Sequence, residues 1–177
     1  MENKVYDNII DWIEKVSKSI EKSKVTVYLN GEIDGYLASK LACKIFGKEN
    51  VLNVIIPCYS SEDYIVESTS FSKDNEIMFN IIGIKHIYDS IMEKDIDDDN
   101  DELEENFKIE ILNYIRNSII ESTAIKNKSM IFNFKKISYD LYQFQIIFKN
   151  KYIGFDNLNY SQFLEDRDLE KFYKILQ

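Results

Sequence analysis

Between the apolar run Val25, Val27 and Leu29 and the helical-period positions Leu37, Ala38, Leu41, Ala42 and Ile45 lies the hexapeptide Asn30-Gly31-Glu32-Ile33-Asp34-Gly35. A short glycine-containing turn that feeds a strand directly into a helix is suited to anions. The first helical N–H groups have no partner inside the helix, and the helix dipole favours negative charge beside them. The turn is therefore the expected ligand site. Its spacing is neither the dinucleotide G-x-G-x-x-G nor a P-loop, which needs Lys followed by Ser or Thr. Other reactive side chains are sparse. His86 is the only histidine, and no Ser, Cys or carboxylate partner is placed for it, so it is a weak catalytic candidate. Cys43 and Cys58 lack CxxC spacing and a histidine cluster, which points to reduced packing thiols with no metal site.

The charge pattern excludes further classes. The net charge is −9, yet Asp95 to Glu105 alone holds eight acids and no base, leaving 23 acids against 22 bases elsewhere. That run reads as a solvated connection and lacks the glycine and spacing of an EF-hand. With Arg116 and Arg167 the only arginines and no basic stripe, nucleic-acid binding is not expected. Met1-Glu2-Asn3-Lys4 leads straight into an amphipathic pattern and there is no long apolar run, so a cytoplasmic protein with no membrane span is expected.

The elements around the turn alternate between strand and helix. A helix is predicted over Lys4 to Lys22 from Val5, Ile9, Trp12, Ile13, Val16 and Ile20. After the organising strand and helix come a buried strand over Val51 to Ile56, ended by Pro57, and a helix over Glu62 to Ser72. A strand over Glu76 to Ile82, a short helix over Ile84 to Glu93, a long helix over Glu102 to Ile125 and a strand over Ser129 to Phe134 follow. The aromatic-rich Tyr139 to Phe155 reads equally as a helix or as a hairpin around Lys149-Asn150-Lys151. A last helix is predicted over Ser161 to Leu176. At 177 residues the chain is expected to form one domain, residues 1–177, of α/β class: a doubly wound parallel sheet with helices on both faces.

The hexapeptide resembles the pyrophosphate-binding loop of the ATP pyrophosphatases, SGGxDS, and in particular that of ammonia-dependent NAD synthetase. Gly47-Lys48-Glu49-Asn50-Val51-Leu52 and Val54-Ile55-Ile56-Pro57-Cys58-Tyr59-Ser60-Ser61 are similar to the block that follows the loop in that family. The resemblance implies an adenine nucleotide alpha-hydrolase-like fold. It also implies a reaction in which ATP adenylates the carboxylate of deamido-NAD and ammonia displaces AMP, with ATP and Mg²⁺ as cofactors. It carries nucleotide contacts onto Asn30, Gly31, Asp34, Gly35, Ser60, Ser61, Arg116 and Lys136, with Asp34 also a metal ligand. Two readings stand for Ser61, a ligand contact or a helix N-cap, and two for Arg116, a phosphate contact or an ion pair. The resemblance further implies a homodimer through the helix around 107–125, and an authentic NAD synthetase is a second partner to consider.

The departures from the family pattern are equally specific. Asn30 and Gly35 replace two serines, and Glu32 replaces a glycine. Like unit charges about 4 Å apart repel by roughly 4 kcal/mol at an effective dielectric near 20, so a carboxylate at Glu32 opposes a pyrophosphate. Lys135-Lys136-Ile137-Ser138 follows the last predicted strand where the family has GTGNKSE. Lys136 falls on the lysine, Ser138 on the metal-holding acid, and Phe134 is expected to crowd the phosphate. No counterpart of the family's later substrate-closing segments is visible. No catalytic residue is assigned. The expectation is a truncated, catalytically inactive homologue acting through self-association or partner binding, the alternatives being an active amide ligase and a non-hydrolysing nucleotide-binding module.

Overall fold

The computed structural model describes residues 2–92, 101–138, 141–148, 151–154, 164–165 and 174. In chain order the elements are α1 (Glu2–Ser19), β1 (Val25–Leu29), α2 (Ile33–Phe46), a 3-10 turn (Lys48–Asn50), β2 (Val51–Ile55), α3 (Glu62–Asp74) and β3 (Met78–Ile81). They continue with α4 (Lys85–Met92), α5 (Asp101–Asn127), β4 (Met130–Ser138), β5 (Leu141–Phe148), β6 (Lys151–Gly154) and β7 (Leu164–Glu165).

One sheet holds the described strands in the order β3-β2-β1-β4-β5-β6, with β7 paired to β5. β1 is parallel to both β2 and β4, and β2 is parallel to β3. From β1 the chain winds outward through α2 to β2 and then β3. It then returns through α5 to β4 on the opposite side of β1. The strand order thus reverses between β1 and β4, and a crevice opens at the carboxyl ends of such strands in doubly wound sheets.

β1 is central because its residues suit burial on both faces. Val25, Val27 and Leu29 join a core with Ile13 of α1, Leu37 and Leu41 of α2, and Phe132 of β4. Tyr28 packs on the other face against a second core that includes Ile115 and Ile120 of α5 and Ile84. Helices therefore cover both faces, as expected. The Thr26 and Ser129 hydroxyls, both buried, lie 2.6 Å apart and satisfy each other where β1 and β4 begin.

Several expectations need correction. The sheet is not wholly parallel: β4 pairs antiparallel with β5, and β5 with β6 and β7. Tyr139 to Phe155 resolves, over its described residues, into the hairpin of the two readings. β4 runs on through Lys135-Lys136-Ile137-Ser138 instead of stopping at Phe134, and Lys136 is a strand residue opposite Tyr142. No glycine interrupts that stretch, so nothing breaks the strand there. Phe134 is buried in the core that β1 shares with α1 and α2. In place of a helix over Ser161 to Leu176, Leu164–Glu165 forms a strand that adds to β5, while Lys174 is helical and the rest lies outside the described residues. The acidic run is not all connection, because α5 begins at Asp101; residues 95–100 lie outside the described residues.

Candidate functional site

The Asn30–Gly35 turn sits at the carboxyl end of β1 and is held by its own side chains. Asn30 Oδ1 accepts from the Glu32 N–H at 3.0 Å, closing a local turn. Asn30 Nδ2 donates to Asp34 Oδ1 at 3.0 Å, and the same oxygen accepts from the Gly35 N–H at 2.9 Å. Two glycines make this geometry possible. Gly31 has φ 85°, a left-handed conformation that a side chain would strain. At Gly35 an added Cβ would come within 2.8 Å of Asn30 Oδ1 and 3.0 Å of the Tyr28 carbonyl.

Asp34, the metal ligand implied by resemblance, is partly buried. Burial pushes its carboxyl above the ordinary 3.8, opposed by the hydrogen bonds from Asn30 and Gly35, and the Glu32 charge raises it further. An acid whose folded value lies above its unfolded one holds its proton more tightly in the native chain. Ionised Asp34 therefore subtracts stability above that range, and the loss is relieved as pH falls toward 3.8. Among the described residues no group of three metal-ligating side chains forms. Asp34 Oδ1 accepts two hydrogen bonds, and Mg²⁺ is held by one or two carboxylates together with waters and substrate phosphates. Glu32 is exposed at the N-cap position of α2 and makes no side-chain cap bond. The turn thus presents two carboxylates where the helix dipole favours an anion.

After β2 comes the Pro57–Ser61 segment, whose side chains bond locally and to α4. Ser60 Oγ accepts from the Cys58 N–H at 3.2 Å and donates back to the Cys58 carbonyl at 3.4 Å, so its hydroxyl serves its own turn. Ser61 takes the N-cap reading: its Oγ accepts from the Tyr64 N–H at 3.3 Å and it starts α3. Tyr59, at φ 52°, donates its hydroxyl to Asp89 at 2.6 Å, and the Lys85 ammonium lies 4.6 Å from its ring centroid, fastening this segment to α4.

Arg116 reaches the same end of the sheet from α5. Its charge acts on the phenols of Tyr28 and Tyr64 and on the Cys58 thiol. Its Nε is buried and has no hydrogen-bond partner among the described residues. No salt bridge involves it among the described residues. Lys136 stands on β4 four residues beyond Phe132, the last β4 residue paired with β1. Asn30, Gly31, Asp34, Gly35, Ser61 and Arg116 are thus brought to one end of the fold, Ser60 is turned to its own backbone, and Lys136 is fixed only in strand register.

Two residues of this region went unmarked in the sequence. Tyr64, in the first turn of α3, donates its hydroxyl to the Leu29 carbonyl at 2.7 Å and accepts from the Ile56 N–H at 3.3 Å. Its ring lies on Gly31, where an added Cβ would meet Cδ2 at 2.8 Å. Tyr28 lies beside Tyr64, and burial raises both phenols while Arg116 lowers them. The available signal was Tyr28 itself, an aromatic with a polar tip in an otherwise aliphatic strand next to the turn. Both cysteines are free thiols, and burial pushes Cys43 up to about 11, in keeping with a packing role. A groove of about 530 Å³ lies at the opposite, amino-terminal end of the strands, lined by residues such as Lys24, Asn50, Met78 and Asn127. It contains none of the expected site residues.

Comparison with known proteins agrees with this arrangement. The NH(3)-dependent NAD(+) synthetase of Pyrococcus horikoshii is 30% identical over 88 residues, which is 50% of this chain and 34% of that protein. The Pyrococcus furiosus enzyme of the same name is 30% identical over 87 residues, 49% of this chain and 33% of that one. The chain therefore matches about a third of the length of these curated relatives. Among solved structures, the NH3-dependent NAD synthetase of Campylobacter jejuni, in complex with nitrate, superposes with a TM-score of 0.62 at 22% identity, covering 74% of this chain and 55% of that one. The NMN synthetase of Francisella tularensis gives 0.61 at 14% identity, covering 74% and 53%. At these identities the superpositions speak for the fold. The profile of the family described as NAD synthase matches residues 5–133, most of the chain and all of its parallel sheet up to β4, and the chain accordingly belongs to the NAD synthase family.

Proposed function

We propose that this protein is an NAD-synthetase-like homologue that does not turn over ATP and acts through association, with a second copy of itself or with an authentic NAD synthetase. The observation that carries the reading is the composition of the turn. Glu32 puts a carboxylate at the α2 N-terminus where the family loop has a glycine, and Asn30 uses its side chain inside the loop. Adenylation would require this turn to hold a pyrophosphate while charge develops on it, and the Glu32 carboxylate opposes that charge.

The surface of α5 supports the association half. Phe107, Ile111, Tyr114, Ser118, Glu121 and Ile125 recur at steps of four and three along one stripe, the spacing of a helix-pairing seam. Phe107 is 37% exposed, Tyr114 68% and Ile125 65%, so the apolar ends of that stripe are unburied in the single chain. Light scattering on the purified protein is expected to give twice the chain mass. Tyr114→Lys combined with Ile125→Lys is expected to return it to the monomer mass without loss of helicity. A wild-type chain that stays monomeric at high concentration contradicts self-association.

One observation favours a second reading, a module that holds an adenine nucleotide without hydrolysing it. Arg116 keeps a buried, unpartnered Nε near the crevice, a donor an oxyanion would satisfy.

A further inference from the structure

Where β1 and β2 part at their carboxyl ends, next to the β1–β4 crevice, a side chain already occupies the backbone groups a ligand would use. Pairing between these strands ends at Leu29 and Ile55. Beyond that point the Leu29 carbonyl and the Ile56 N–H bond to the Tyr64 hydroxyl, which donates to the first at 2.7 Å and accepts from the second at 3.3 Å. Tyr64 comes from a surface helix whose neighbouring Glu62 and Asp63 are exposed, yet it is turned inward and its ring lies on Gly31. The Tyr28 hydroxyl and the Arg116 guanidinium complete the surroundings.

We propose that Tyr64 is an internal plug, its phenol filling the crevice and covering the Gly31 backbone so that an external nucleotide cannot reach the Asn30–Gly35 turn. The inference rests on the reading that the turn no longer supports turnover, and it supplies a reason for closure that is separate from charge. Removing the phenol uncovers one backbone acceptor, one backbone donor and the Tyr28 hydroxyl, with the guanidinium charge nearby. That set matches a flat heteroaromatic ring with a donor–acceptor edge, joined to an anion: a nucleotide.

The test is a calorimetric titration of the full chain with Mg-ATP and, separately, with adenosine. Wild type, Tyr64→Ala and Tyr64→Phe are compared, each first checked for cooperative thermal unfolding. The wild type and Tyr64→Phe, which keeps the ring, are expected to show no saturable binding at millimolar ligand. Tyr64→Ala is expected to bind more tightly by about tenfold or more. A folded Tyr64→Ala that binds adenosine, which has no phosphate for Glu32 to repel, no better than wild type overturns the plug, and so does saturable binding by wild type at similar affinity. If Tyr64→Ala does not fold, amide exchange at Ile56 in the wild type carries the test. Slow exchange unchanged by millimolar ATP agrees with the plug, and an ATP-dependent change there overturns it, because the ligand would then displace the phenol unaided. Wild-type binding without AMP release sinks the plug alone and leaves the non-turnover reading standing. Recovery of binding in Tyr64→Ala by a protein that light scattering finds monomeric does the reverse to the association reading.

Discussion

Replacing Phe132 by alanine is expected to lower the stability of the protein by about 3–5 kcal/mol, the range for deleting a fully buried aromatic side chain. Phe132 is 1% exposed and pairs with Val27 of β1 on one side and Ile146 of β5 on the other. It therefore sits where the parallel half of the sheet joins the antiparallel half. Its ring meets that of Phe46 edge-on at 5.9 Å, which links β4 to the last turn of α2. Val27 and Ile146, its strand partners, are themselves fully buried and fixed in register. Urea unfolding measures the loss directly, and the melting temperature should fall on the order of 10 °C for a chain of this size. A loss below about 1.5 kcal/mol, the range of a conservative core swap, would mean that the join between the two halves is packed differently.

Asn53→Ala is the second large effect, for a polar reason. Asn53, Ser39, Ser68 and Ser72 are all 0% exposed. Ser39 Oγ donates to Asn53 Oδ1 at 2.8 Å, Asn53 Nδ2 donates to Ser72 Oγ at 3.1 Å, and Ser72 Oγ donates to the Ser68 carbonyl at 2.9 Å. This chain ties α2 and α3 to the middle of β2, and so fixes the helix that carries Tyr64 relative to the turn. Removing the amide strands the Ser39 hydroxyl in a dry interior and leaves a small cavity, at roughly 2–4 kcal/mol together. The same network predicts coupling: Ser39→Ala should cost less in the Asn53→Ala background than alone, since its partner is already gone. Additive losses in that double-mutant cycle would contradict the network.

How far the sequence revealed the molecule follows from which signals were local. The β1–turn–α2 unit, the Ser61 cap and the broad apolar face of α5 each rest on periodicity or on one residue type at a helix start, and each is present. The antiparallel half was harder to read. Lys135 and Lys136 resembled a loop signature only through the family pattern, while their own β-strand context, Phe132 and Phe134 before them and Ile137 after, favoured continuation. Leu164 carried a helical spacing with Leu169 and Phe172, yet it pairs with Tyr142, where the unfilled edge of β5 outweighs propensity. At the site, residue types near the turn were legible because they are contiguous. The Tyr28–Tyr64–Arg116 group was not, because its members come from a strand and two helices that only the packing of α3 and α5 brings together. Glu32 marks a limit of a different kind: the sequence identified the charge, and the structure adds that it is exposed at the N-cap position of α2 without a side-chain cap bond.

On the proposed reading, the Asn30–Gly35 turn does not support adenylation. The direct measurement is AMP release by the purified chain supplied with ATP, Mg²⁺, deamido-NAD and ammonia, beside an Asp34→Ala variant. AMP at the level of the protein-free control is expected for both. Multiple turnovers by the wild-type chain, abolished in Asp34→Ala, would contradict it and make the turn a working pyrophosphate site.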